Sequence, residues 1–178
     1  MTKKTTLIIV ACALLAMAGL AQAQTGTTTL SVAVAAEASL TVLTGTTTLA
    51  TTGTNFSIPF TGTTNLDYFI RTTKTGGTGS LTLKVTADFG GTGGPSVATP
   101  PSAGDALTYT CTVSSPGTAA TGSQTASTSA STAFGTWGAN ASSTKAGNTA
   151  SAAWSLTDDP VYATGTYTAT TTFTIAST

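Results

Sequence analysis

Residues 154–177, WSLTDDPVYATGTYTATTTFTIAS, decide the fold. From Tyr167 onward every second residue (Tyr167, Ala169, Thr171, Phe173, Ile175) falls on one face, while Thr166, Thr168, Thr170, Thr172 and Thr174 fall on the other. One row bulky and one row hydroxylated at a period of two is the pattern of a strand with a buried and a wet side. Upstream, Ala152, Trp154 and Leu156 keep the same period until Asp158-Asp159-Pro160 breaks it. Two strands flanking a turn, as a hairpin or a sandwich edge, is the reading.

The same period recurs through the rest of the chain. Residues 27–36 alternate Leu30, Val32, Val34 and Ala36 against Ser31, Ala33 and Ala35, and Glu37 marks a break or bulge. Residues 39–43 follow with Leu40 and Val42 inward. Phe56, Ile58 and Phe60 alternate, with Pro59 confining that piece to an edge or a strand end. Residues 66–73 carry bulk on both faces, as a central strand does, and residues 74–79 read as a hairpin loop. Residues 80–89 set Leu81, Leu83, Val85, Ala87 and Phe89 against Thr82, Lys84, Thr86 and Asp88. A long Gly/Pro-rich loop, 90–104, precedes a strand at 106–114 whose inner face holds Leu107, Tyr109, Cys111 and Val113. Residues 119–133, almost all Ala, Ser and Thr, read as an edge strand or a poorly ordered excursion, ended by the aromatic anchors Phe134 and Trp137. Eight to ten short antiparallel strands without a long helix make an all-β, immunoglobulin-like sandwich.

The start of the chain reads as a signal peptide. Lys3 and Lys4 precede an apolar run over residues 7–20, and Ala21-Gln22-Ala23 supplies the small-x-small cleavage pattern. The run is short for a transmembrane anchor. The expected organisation is therefore a signal peptide, 1–23, and one secreted domain, 24–178, passing through a periplasm if the cell has one. In that domain Arg71, Lys74, Lys84 and Lys145 face Glu37, Asp67, Asp88, Asp105, Asp158 and Asp159. So sparse a charge excludes the basic footprint of a nucleic-acid binder. Threonine favours strands and wets an outer face without charge, which suits an extracellular structural protein.

Candidate chemistry is thin, and no catalytic, cofactor or metal set is expected. The chain has no histidine, so the usual Ser-His and Cys-His nucleophile pairs are missing. Cys111 reads as a buried, inert thiol; after cleavage beyond Cys12 it has no partner in the chain, which leaves an intermolecular disulfide open. Asp158 and Asp159 read as a solvated turn, with calcium held there, together with Asp105 or Asp88, as the lesser reading. Trp154 is in phase with the core, whereas Trp137 is the candidate platform for stacking a sugar. Asn55-Phe56-Ser57 and Asn140-Ala141-Ser142 match glycosylation acceptors.

Two resemblances accompany these readings. The segment TTTLSVAVAAEASLTVLTGTTTLATTGTNF and the ending GTYTATTTFTIAS resemble secreted spore-coat-protein-U-type and related pilin-like β-sandwich domains, without the cysteine pair those domains carry near their first strands. Trp154-Ser155-Leu156 is similar to the WxL motif of wall-binding surface domains. The first implies a non-enzymatic subunit of a surface fibre, coat or matrix, self-associating or meeting other cell-surface proteins. The strand-exchange residues would then be Leu30, Val32, Val34 and Ala36. The second implies a module that binds wall polysaccharide.

Overall fold

A computed structural model of the protein describes residues 25–178, and none of these is helical. The signal-peptide reading of residues 1–23 lies outside the described residues. Residues 25–33 and residues 34–178 form separate units. The first has no regular secondary structure. The second is the antiparallel β-sandwich expected from the sequence.

Nine strands build it among the described residues: β1 (Glu37–Val42), β2 (Phe60–Arg71), β3 (Gly79–Ala87), β4 (Thr108–Val113), β5 (Thr118–Ala119), β6 (Gln124–Thr125), β7 (Thr132–Trp137), β8 (Asn148–Leu156) and β9 (Thr170–Ser177). One sheet runs in the order β1-β2-β8-β4-β6 and the other β5-β7-β3-β9. The Ala/Ser/Thr stretch before Phe134 thus contributes a short edge strand to each sheet. Few of its side chains are large enough to fill a core, and two-residue strands leave little edge open to other chains.

The apolar rows meet between the sheets. Leu66, Tyr68 and Ile70 of β2 and Ala150, Ala152, Trp154 and Leu156 of β8 come from one side. Leu81, Leu83 and Val85 of β3 and Phe134 and Trp137 of β7 come from the other. Each fully buried large side chain contributes about 1.5–3 kcal/mol relative to exposure. Most polar atoms drawn into this layer find partners, although the Trp137 Nε1–H has none: the Trp154 Nε1–H donates to the Thr64 hydroxyl at 2.8 Å, and that hydroxyl also meets Thr47 at 2.6 Å. The Tyr109 hydroxyl donates to the Ala133 carbonyl at 2.9 Å and meets Thr132 at 2.6 Å.

Several expectations are corrected. Strands β8 and β9 are not a hairpin, because β8 lies inside one sheet and β9 is the edge of the other. The connection between them is too long to act as a two-residue turn, so it crosses between layers. Strands β2 and β3 are likewise in opposite sheets, and residues 72–78 form a crossing loop. Tyr167 precedes β9 and packs over Gly91 and Gly94 instead, its hydroxyl donating to the Ala163 carbonyl at 2.8 Å. A Cβ at Gly94 would collide with that ring, which gives this part of the Gly-rich loop a steric reason.

Glu37 does not interrupt a strand; it begins β1, opposite Arg71, and the two side chains pair at 2.9 Å. Both are well exposed, so the pair contributes little. Leu40 is half-buried as expected, but Val42 is exposed. Phe56 and Ile58 are also exposed and lie outside any strand, and β2 begins only at Phe60.

Candidate functional site

The expected strand at residues 27–36 does not form: these residues have no ladder partner among the described residues. Alternation supplies a face, and pairing needs an edge that accepts it. Leu30, Val32 and Val34 are 91%, 85% and 65% exposed, while Ala36 is half-buried. Three consecutive members of an apolar row in water are unusual in a chain whose other large apolar side chains mostly reach the core.

Within the sandwich, β9 pairs with β3 along one side and is the last strand of its sheet. Its inward row, Phe173 and Ile175, is only half-buried, although both pack against the core. Strand β1 is the last strand of the facing sheet, and Ala38 and Leu40 on it are half-buried too. The β1 and β9 edges approach each other. This side of the sandwich therefore has two strand edges and four incompletely covered apolar side chains. Beside the end of β2 lies an open hollow of about 470 Å³ bordered by Val34, Ala36, Arg71, Lys74, Asn140 and Ser142. Its floor is tied by Thr72, whose hydroxyl donates to the Gly138 carbonyl at 2.8 Å and accepts from the Ala141 N–H at 2.9 Å.

No family model, curated protein or solved structure gives a significant match to this chain. The site rests on its own geometry.

That geometry removes one candidate. Trp137 is 3% exposed and cannot serve as a stacking platform; its ring meets Tyr68 edge-on at 4.9 Å in the core. Trp154, 5% exposed, is in the core as its phase implied.

Cys111 is a half-buried free thiol on β4, where burial raises its pKa to about 11. Relative to an ordinary thiol, that shift leaves about a hundredfold less thiolate at neutral pH, so the group is a poor nucleophile. Cys111→Ala is expected to cost on the order of 1 kcal/mol. Labelling of the native protein by a thiol reagent at pH 8 is expected to be slow until denaturant is added. Fast native labelling, or a disulfide dimer as the main species on a non-reducing gel, would contradict this.

The acidic residues separate sharply. Asp88 is consumed by its own loop: Oδ1 accepts from the N–H groups of Phe89 and Val97, and Oδ2 from Ser96 and the Ala98 N–H. Burial pushes its carboxyl up, but these donors outweigh it and hold the pKa below the usual value. Asp159 accepts from the Val161 N–H at 2.8 Å, the main reason its pKa is also lowered. Asp105, which composition alone did not set apart, is 1% exposed, and its Oδ2 has no hydrogen-bond partner. Of the glycosylation-type sequences, Asn55 accepts from the Ser57 hydroxyl at 2.6 Å, and Asn140 is exposed with a φ of 58°.

Proposed function

We propose that the protein is a non-enzymatic structural subunit of an extracellular fibre, coat or matrix, joined to its neighbours through residues 27–36. The observation that carries this reading is the exposed row Leu30, Val32 and Val34 in a chain whose β9 edge has no outer strand and an incompletely covered inner row. Laid along β9 of a second copy, the segment would satisfy backbone groups on that edge and bury its apolar row beside Phe173 and Ile175. Adding a strand to an open edge also removes the hazard such an edge presents. The resemblance to pilin-like domains and the signal-peptide pattern agree with this assignment. The polysaccharide-module reading loses its stacking platform, because Trp137 is inside, and Trp154 and Leu156 of its WxL-like motif are buried too.

Removing residues 24–36 tests the reading. Residues 25–36 pair with no strand among the described residues, and a hydrogen bond from Arg71 Nε–H to the Ala35 carbonyl at 2.8 Å ties the end of the segment. The truncated protein is therefore expected to melt within a few degrees of the longer form. It is expected to stay monomeric in sedimentation where the 24–178 form assembles, and to bind a peptide of residues 27–36. A truncated protein that assembles as well as the longer one would refute strand exchange.

A further inference from the structure

We infer that copies of this chain meet end to end, the Asp158-Asp159 turn of one seating in the hollow beside Arg71 and Lys74 of the next. The docked strand proposed above supplies the strength of the assembly, and this contact, which rests on that reading, orients the two copies.

The strand registers define two ends of the sandwich. At one, Glu37 is opposite Arg71, and Tyr68 is opposite Asn148, the first residue of β8. Gly79, which opens β3, is opposite Ser177, and the Thr73 N–H donates to the Thr178 carbonyl at 3.0 Å. This end gathers Arg71, Lys74 and Lys145, the last in a turn closed by the Gly147 N–H on the Thr144 carbonyl. Its acid, Glu37, is already paired with Arg71. At the other end Phe60 is opposite Leu156, Thr108 is opposite Ser155, and Ala87 is opposite Thr170. The loops there, 88–107 and 157–169, carry Asp88, Asp105, Asp158 and Asp159 and no lysine or arginine. A domain with very little charge thus has a positive end and a negative end.

The surfaces at those ends are complementary in more than sign. Asp105 is buried and Asp88 is held by its own loop, so Asp158 and Asp159, both half-buried, are the acids offered outward. Val161 beside them is exposed, and the turn is held by the N–H groups of Val161 on Asp159 Oδ1 and of Tyr162 on the Asp159 carbonyl. The hollow sets Arg71, Lys74, Asn140 and Ser142 against an apolar side made by Val34 and Ala36. Lys74 and Lys145 are exposed and have no ion-pair partner among the described residues. An acidic turn carrying one apolar side chain matches a cationic hollow with one apolar wall. The turn and the hollow of one copy are at opposite ends, so they can meet only between copies. Two different patches make a heterologous contact, which repeats as an open row unless its rotation closes. Residues 27–36 join the domain at the positive end, so in such a row they approach the next copy from the end where β9 begins.

Exposed charges orient and accelerate association more than they strengthen it, so the assembly rate of the 24–178 form, read by light scattering, is the sensitive measure. Raising salt from about 0.01 M to about 0.1 M shortens the reach of these charges from about 30 Å to about 10 Å and is expected to slow assembly about tenfold. Lys74→Glu with Lys145→Glu, and separately Asp158→Lys with Val161→Lys, are each expected to slow it about tenfold or more at low salt. Both pairs leave the Asp159 turn contacts in place and should melt within a few degrees of the parent. Mixed one to one, the two variants are expected to recover the parent rate, because each reversed patch finds its complement on the other chain. Assembly indifferent to salt, variants that assemble like the parent, or a mixture no faster than its components would overturn the end contact. Slowing by the lysine pair alone would put a different acidic partner, such as an acidic polysaccharide, in the hollow and overturn it as well. Charge-insensitive assembly of the 24–178 form removes this contact and leaves strand exchange standing, whereas a truncated form that assembles equally well removes strand exchange.

Discussion

Phe134→Ala is expected to lower stability by about 3–5 kcal/mol, more than any change on the closing strand. Phe134 is fully buried, stacked on Tyr109 at 6.0 Å and edge-on to Phe173 at 5.6 Å, so its removal leaves a cavity between the two sheets. Phe173 belongs to the same aromatic chain but is on an edge strand and only half-buried. Less surface returns to water when it is cut back, and Phe173→Ala should cost about 2 kcal/mol. Thr172→Ala, on the exposed face of β9, should fall within about 0.5 kcal/mol of the parent, although its hydroxyl meets Thr86 at 3.1 Å. Urea unfolding of the three variants gives the order directly. Equal midpoints for the Phe134 and Phe173 variants would mean that β9 contributes as much to stability as the strand interior.

A regular pattern does not report energy, for a definable reason. Regular alternation reports that a strand has two different faces, and an edge strand shows it as clearly as a central one. The phases of β2, β3 and β8 were legible because their apolar rows are unbroken: Leu66-Tyr68-Ile70, Leu81-Leu83-Val85 and Ala152-Trp154-Leu156 are all buried. Strand β7 defeated the same rule. Phe134 and Trp137 are three residues apart, so strict alternation puts them on opposite faces and leaves Trp137 outside. The pairing of β3 with β7 steps from Leu81–Gly135 to Thr82–Ala133 and passes over Phe134. This bulge resets the phase and turns both aromatics inward. Nothing in the local sequence announces it apart from Gly135, where an added Cβ would lie 2.9 Å from Cγ2 of Val113. The burial of Asp105 was illegible for another reason. It comes from the packing of two loops without regular structure, and periodicity carries no information about such contacts.

The phase of residues 27–36 gives the largest expected effect on assembly, and it can be tested one side chain at a time. Val32 and Ala33 are adjacent, both exposed in the monomer and both outside the sandwich strands. An aspartate at either position should therefore leave monomer stability unchanged within about 0.5 kcal/mol. If the segment becomes a strand on the β9 edge of a second copy, its two faces cease to be equivalent. The Leu30-Val32-Val34 row then turns toward Phe173 and Ile175, and the Ala33 row turns toward water. Burying an unpaired carboxylate costs several kcal/mol, and each 1.4 kcal/mol is a factor of ten in association. Val32→Asp is accordingly expected to weaken assembly by about a hundredfold or more, and Ala33→Asp by no more than a few-fold. Sedimentation over a range of concentrations, at two ionic strengths, reads both values and separates burial from simple charge repulsion, which salt screens. Equal weakening by the two variants, or a loss for Val32→Asp that high salt restores, would show that the segment does not dock as a strand.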